Sequence, residues 1–329
     1  MNARVALALR RARGEARPAE ALAEEVGLPP EEVVAAVEAL GRAGFRIESH
    51  PHQGFRLLAA PDALIEAELA CDLATERVGR TVRCVGETAS TNDLAWEAVD
   101  QGGADADGLA VFAEYQTAGR GRRGSRWLAP RHTSVLCSVV LVGPPAPAAG
   151  AALTRAASLA AAEAVEAETG LAVGLRWPND LVLDDRKVGG VLVEARPGRS
   201  GAGAAVLGVG INGSQRPEAF PAAIRPGVTS LAAAGAVLDR TLLARSLLRR
   251  LDAVARQMGR EDGAQAIQDA AARRCRTLGR RITVSDGTEA ITGEVVDLDP
   301  DYGLLLRLAG GTIRRFPAMT TQVLSQGDR

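Results

Sequence analysis

Apolar residues recur at helical spacing in three short runs at the start of the chain. Val5, Leu7 and Leu9 mark a predicted helix over Ala3 to Arg13. Pro18 opens a second over Ala19 to Val26, which Gly27 closes. Pro29-Pro30 opens a third that carries Val33, Val34, Val37 and Leu40 and ends near Gly44. Two short strands, Arg46 to Ser49 and Phe55 to Leu58, flank the turn His50-Pro51-His52-Gln53-Gly54. Three helices and a hairpin predict a winged helix-turn-helix module over residues 1–60, with Ala59-Ala60-Pro61-Asp62 as a linker.

From 63 to 274 the pattern mixes β-like runs with helical ones. The runs are Thr81 to Val85, Leu109 to Glu114, Ser134 to Leu141, Val188 to Glu194 and Ala204 to Gly210. The helices are Thr91 to Asp100, Ala151 to Thr169 and Thr241 to Met258. Several strands follow one another with no crossover helix between them, which predicts an α/β domain on a mainly antiparallel or mixed sheet. Over 275–329 the pattern alternates: Arg281 to Ser285, Ala290 to Val296, Gly303 to Leu308 and Thr312 to Phe316. Turns at Asp286-Gly287, Asp299-Pro300 and Gly310-Gly311 predict a small all-β barrel that needs a neighbour to lean on. The fold class is α+β.

A 47% hydrophobic content over 329 residues supports a folded, multidomain chain, and a net charge of −1 announces no nucleic-acid or membrane partner. Cys71, Cys84, Cys137 and Cys275 are far apart, with no paired spacing for zinc or a disulfide scaffold, and read as reduced thiols. The apolar start, Val5 to Leu9, is too short for a signal peptide, and the Ala148 to Val165 run carries Arg155 and Glu163. A cytoplasmic location is expected. Of the 39 basic residues, Lys187 is the one lysine. Such an exception is either a leftover or a place where a planar fork cannot replace a compact ammonium.

Two segments match a dinucleotide fingerprint, Gly119 to Gly124 and Gly208 to Gly213. Neither runs into a helix whose N-terminus would receive a pyrophosphate, which excludes a nicotinamide or flavin enzyme of that type. The first segment remains informative. Arg120, Arg122, Arg123 and Arg126 between glycines form a loop dense in phosphate donors, with Trp127 at one end. That density favours a phosphate-bearing small ligand over an RNA tract, and predicts a loop that closes over a water-sensitive intermediate.

Five blocks then stand in order. They are Ser90-Thr91-Asn92-Asp93 at a helix head, Glu114-Tyr115-Gln116-Thr117-Ala118 running into Gly119 to Trp127, Arg176-Trp177-Pro178-Asn179-Asp180, Lys187 to Glu194, and Gly208 to Asn212. Together they resemble the biotin protein ligases. The winged-helix start and the β-rich end, SH3-like in this family, resemble the bifunctional ligase/repressor type.

The resemblance implies a two-step reaction. Biotin and ATP with Mg2+ give biotinyl-5′-AMP and pyrophosphate, and a lysine of a carboxylase's biotin carrier domain then attacks the mixed anhydride. It implies catalytic roles for Lys187, Arg122 and Asp180, with no protein metal site. Ser90, Thr91, Asn92, Gln116, Arg120, Gly121, Arg122 and Lys187 would bind biotin. Gly119, Arg120, Arg122, Arg123, Trp127, Asn179 and Asn212 would face the nucleotide. Ser90 also stands where it can cap a helix, Trp127 and Trp177 read equally as core, and His132 as structural. Arg314 and Arg315 are candidates for nucleotide or carrier contacts against a surface alternative. A lipoate ligase, or a biotin-responsive regulator with a spent ligase site, are the competing readings, and a homodimer through the central sheet stays open.

The DNA-binding expectation is weaker than the module suggests. The third helix exposes Glu31, Glu32 and Glu38, and residues 1–60 hold eight Arg against eight Glu. Carboxylates facing phosphates oppose binding, so weak or absent operator binding is expected.

Overall fold

The computed structural model describes residues 2–143, 150–197, 203–285, 287–299, 301 and 303–326. Ala148, Asp286 and Pro300, each within a stretch singled out above, lie outside them. Helices α1 (Ala3–Arg11), α2 (Ala19–Val26) and α3 (Pro30–Arg42) and the hairpin of β1 (Arg46–His50) and β2 (Gly54–Ala59) enclose a core that includes Val5, Leu9, Leu22, Val33, Leu40 and Phe55. The Asn2 side chain accepts from the N–H groups of Arg4 and Val5, and Pro30 opens α3. Arg17 and Phe55 exchange two backbone hydrogen bonds, which ties the hairpin to the helices.

This unit is fastened to the rest by a buried ion cluster. The guanidinium of Arg10 on α1 donates to both oxygens of Glu68, at 3.2 and 3.0 Å, and to Asp239 at 2.9 Å. Glu68 lies on α4 (Glu66–Ala70) and is fully buried. Asp239 is the N-cap of α7 (Arg240–Met258). Opposite charges meeting in a site with little water make this junction costly to open.

The central sheet has seven strands. In spatial order these are β3 (Thr81–Val85), β4 (Leu109–Ala113), β5 (Ser134–Val142), β9 (Ala204–Asn212), β8 (Arg186–Arg196), β7 (Asp180–Leu183) and β6 (Gly174–Arg176). β3 and β4 run parallel, joined by the crossover helix α5 (Thr91–Gly102), and the other neighbours are antiparallel. Side chains alternate across the strands, so Val111, Val140 and Val206 meet Ala95 and Trp96 of α5. Phe112, Val139 and Leu207 face the opposite layer, where the alanine-rich α6 (Gly150–Thr169) and α7 pack. The short helix α4, the short pieces β6 and β7, the helix α8 (Gly263–Arg274) and a last strand over Gln322–Gln326 are not among the elements the sequence pattern predicts.

Strands β10 (Arg281–Ser285), β11 (Ala290–Leu298), β12 (Leu304–Arg307), β13 (Ile313–Phe316) and β14 (Gln322–Gln326) form an antiparallel sheet in the order β13-β12-β11-β10-β14. Among the described residues β13 and β14 do not pair with each other, so what is described is a sheet over a small core and not a closed barrel. That core contains Ile282, Val284, Val295, Leu304 and Phe316, completed by Trp177 and Ala151 from the central unit. The Trp177 N–H donates to Thr277 Oγ1 at 3.0 Å, and the Arg276 N–H to Leu175 O at 2.8 Å. The small β unit thus leans on its neighbour, as its size requires.

Candidate active site

A cavity of about 560 Å³ opens on the face of the sheet beside the head of α5. Its floor is β5, β8 and β9, where Gly190, Gly208 and Gly210 let the side chains of Lys187, Asn92 and Trp127 lie directly against the backbone. The head of α5 and the arginine loop form two walls, and Arg176 to Asp180 with Lys187 a third. Residues 321–325 of the C-terminal sheet complete the rim. This volume suits a drug-sized organic ligand.

Most of the residues expected at the site do line this cavity: Ser90, Thr91, Asn92, Gln116, Arg120, Gly121, Arg122, Arg123, Trp127, Asn179, Asp180 and Lys187. Gly119 does not; it is buried behind Trp127, whose N–H donates to Gly119 O at 2.9 Å. Asn212 does not line this cavity either. Its Nδ2 donates to Thr229 O at 2.9 Å and its Oδ1 accepts from Gln215, so it joins β9 to a neighbouring loop. Arg314 and Arg315 are likewise off the cavity, paired with Glu289 and with Asp299 and Asp301.

Lys187 Nζ lies 2.6 Å from Asp180 Oδ1, while Arg176 holds Asp180 Oδ2 at 2.9 Å. The ammonium also sits 5.6 Å from the centre of the Trp127 ring. One compact cation, flanked by a carboxylate and an aromatic face, therefore projects at the cavity wall. Asn179 Nδ2 donates to Val191 O at 2.6 Å and the Val191 N–H returns a bond to Asn179 O, which fixes the turn that carries Asp180.

At the other wall, Ser90 occupies the N-cap position of α5 but its side chain makes no capping bond. Gln116 Oε1 takes that place, accepting from Thr91 N–H at 2.7 Å and from Thr91 Oγ1 at 3.1 Å. Ser138 Oγ lies 2.7 Å from Thr91 Oγ1 and 2.6 Å from Asn92 Oδ1, so a polar chain runs from the sheet to the loop. Trp177 is buried in the C-terminal core and also borders the cavity, whereas Trp127 is half-buried against it.

The arginine loop is held at several points. Arg120 forks onto both oxygens of Asp93, and this partner raises its pKa above the usual guanidinium value. Arg122 and Arg123 donate to the main-chain carbonyls of Ala318 and Thr320 in the C-terminal unit. Glu194 Oε2 accepts from Asn92 Nδ2 and Trp96 Nε1. The sequence pattern gave no sign of the carbonyl anchors, because any residue supplies a main-chain carbonyl. Cys137 on the floor is fully buried, and burial pushes its thiol far up, which removes it as a nucleophile. Among the described residues no group of three His, Cys, Asp or Glu could hold a metal ion.

Residues 85–212 match the model of the Biotin/lipoate A/B protein ligase family, and residues 277–318 that of the Biotin protein ligase C terminal domain. The chain belongs to the biotin protein ligase family. It is 38% identical over 247 residues to the Biotin--[acetyl-CoA-carboxylase] ligase of Mycobacterium tuberculosis, covering 71% of this chain and 86% of that one. It is 30% identical over 299 residues to the bifunctional ligase/repressor BirA of Escherichia coli, covering 91% and 90%. The Bacillus subtilis BirA is 32% identical over 206 residues, and the match spans 62% of its length. The fold is shared with the biotin protein ligase of Aquifex aeolicus solved in complex with biotin and ATP, at a TM-score of 0.61 and 24% identity, over 74% of this chain and 98% of that one.

Proposed function

We propose that the protein activates biotin with ATP and passes it to a lysine of a biotin carrier domain of a carboxylase. The observation that carries this reading is the convergence on one cavity of the Lys187–Asp180 pair, the Ser90–Gln116 polar wall and the arginine loop. In the first step a biotin carboxylate oxygen attacks the α-phosphorus, and the bond to pyrophosphate breaks. Lys187 would bridge the two anions, and Arg120 and Arg122 would hold the phosphates, so charge stabilisation and positioning dominate. Ser90, Thr91 and Gln116 would meet the polar ureido ring. In the second step the carrier amine attacks the acyl carbon, AMP leaves, and Asp180 would take the amine's proton. Mg2+ would arrive as the companion of the ATP phosphates, which usually supply much of its coordination.

The test is intact-mass analysis of a carrier domain incubated with the full chain, biotin and MgATP; one added biotin is expected, and none would refute the reading. The division into units at 1–60, 63–274 and 275–329, a cytoplasmic location, and winged-helix and SH3-like classes for the outer units belong to the same proposal. Among the described residues no helix is long and apolar enough to cross a membrane. Operator binding is not part of it: Glu31, Glu32 and Glu38 are all exposed on α3. A basic face, the usual mark of a DNA reader, is replaced there by carboxylates. Titration with duplex DNA at low salt should give no more than weak, non-specific association.

A further inference from the structure

Arg120 stands at the mouth of the cavity with its fork already occupied. Its two terminal nitrogens donate to Asp93 at 2.9 and 2.7 Å, and Glu194 Oε1 lies 3.6 Å from one of them. Asp93 is in the first turn of α5, directly after the Ser90-Thr91-Asn92 wall, and its side chain is about half exposed. Glu194, by contrast, is fixed from behind by Asn92 and Trp96. The remaining loop arginines that are anchored, Arg122 and Arg123, donate to neutral carbonyls. Asp93 is thus the carboxylate most free to change partners.

A carboxylate offers an arginine fork the same paired oxygens that a phosphate does. We propose that Asp93 is a positioning residue that stands in for the ligand's phosphate: it holds Arg120 at the cavity and gives it up when a phosphate arrives. The balance of charge explains why such a device is useful. Four arginines within seven residues repel one another unless an anion is present, and Asp93 supplies one that a more highly charged phosphate can outcompete. An exposed pair of this kind is weak enough to be exchanged. The inference rests on the ligase reading only for the identity of the phosphate as that of ATP and its adenylate.

Calorimetric titration of the full chain with inorganic pyrophosphate and with ATP tests it, using Asp93→Asn, Arg120→Gln and the double variant. Asp93→Asn is expected to tighten both ligands about two- to fivefold, the equivalent of about 0.4–1 kcal/mol. In the Arg120→Gln background the same substitution should have no such effect. Unchanged or weaker binding by Asp93→Asn would overturn the proposal. So would a gain that persists without Arg120, since it would then be a general effect of removing charge. Carrier biotinylation by the unaltered protein, run in parallel, separates the two readings: if it proceeds while Asp93→Asn changes nothing, the stand-in fails and the ligase reading stands. Absence of binding by either probe together with an unmodified carrier would remove both.

Discussion

Replacing Lys187 with alanine separates a structural role from a chemical one, because the structure sets different magnitudes for the two. Its ammonium is 2.6 Å from Asp180, but Asp180 keeps Arg176 at 2.9 Å when the lysine is gone. No carboxylate is left without a cation, so the loss of stability should be about 1 kcal/mol, a few degrees in melting temperature at most. If Lys187 instead bridges the biotin carboxylate and the α-phosphate, its removal costs a charge contact that strengthens as negative charge builds in the transition state. Contacts of that kind are worth about 3–4 kcal/mol, or roughly 10²–10³ in rate. Lys187→Arg should recover little of this. A Cβ built on Gly190 would come within 3.3 Å of Lys187 Cε and Nζ, so the stem runs against bare backbone. A longer planar fork there would aim at Asp180 and lose the second face of the ammonium. The assay is the time course of intact mass of the carrier domain, with a melting curve for each variant. Rates within threefold of the original for Lys187→Ala would refute the reasoning and reduce the lysine to a leftover. A large drop in melting temperature would show instead that the pair is structural.

Two other perturbations probe the loop and the C-terminal unit. A methyl group on Gly210 would lie 2.6 and 2.7 Å from Cε2 and Cζ2 of Trp127, so Gly210→Ala must push the indole off β9 and loosen the Gly119 end of the loop. Overpacking of this sort costs about 1–3 kcal/mol, and biotin titration should show roughly tenfold weaker binding or worse; unaltered affinity would sink the idea. Burial alone would raise the Asp299 carboxyl, but Arg315 and the Gly303 N–H more than offset it and hold it below the usual carboxylate range. A depressed folded-state pKa gives stability that is present above the unfolded value, about 3.9, and is lost as pH falls through the lower folded value. Asp299→Asn should therefore lower the melting temperature at pH 7, and the gap to the original should shrink below about pH 4. A gap that is independent of pH would contradict that account.

The site was legible as a set of residue types before it was legible as a place. Lys187 and the loop arginines stood out by residue type, and Asp180 and Gln116 through the resemblance of the blocks that hold them. Asn212 closes one of those blocks, yet its amide is spent on Thr229 and Gln215, a contact no local pattern encodes. Ser90 fell at the N-cap as expected, but the capping acceptor came from Gln116, 25 positions from the Thr91 N–H that it binds. The strands buried on one face and the first three helices followed from period and from Pro and Gly placement. Strands β6 and β7 are three and four residues long, too short for any period to show.

What the sequence determined by itself was therefore local: the order of helices and strands, the acidic face of α3, the arginine density between two strands and the solitary lysine. Spacing, capping residues and side-chain chemistry act over a few positions and need no partner. The tertiary structure alone decided which charges meet. It set Arg120 on Asp93 and Glu194, Arg122 and Arg123 on the carbonyls of Ala318 and Thr320, and Arg10 between Glu68 and Asp239. In a chain with 38 arginines, residue type says almost nothing about which guanidinium finds which acceptor. That choice depends on burial and on the distance between elements far apart in sequence, because a charge removed from water must be met by whatever the packing brings beside it.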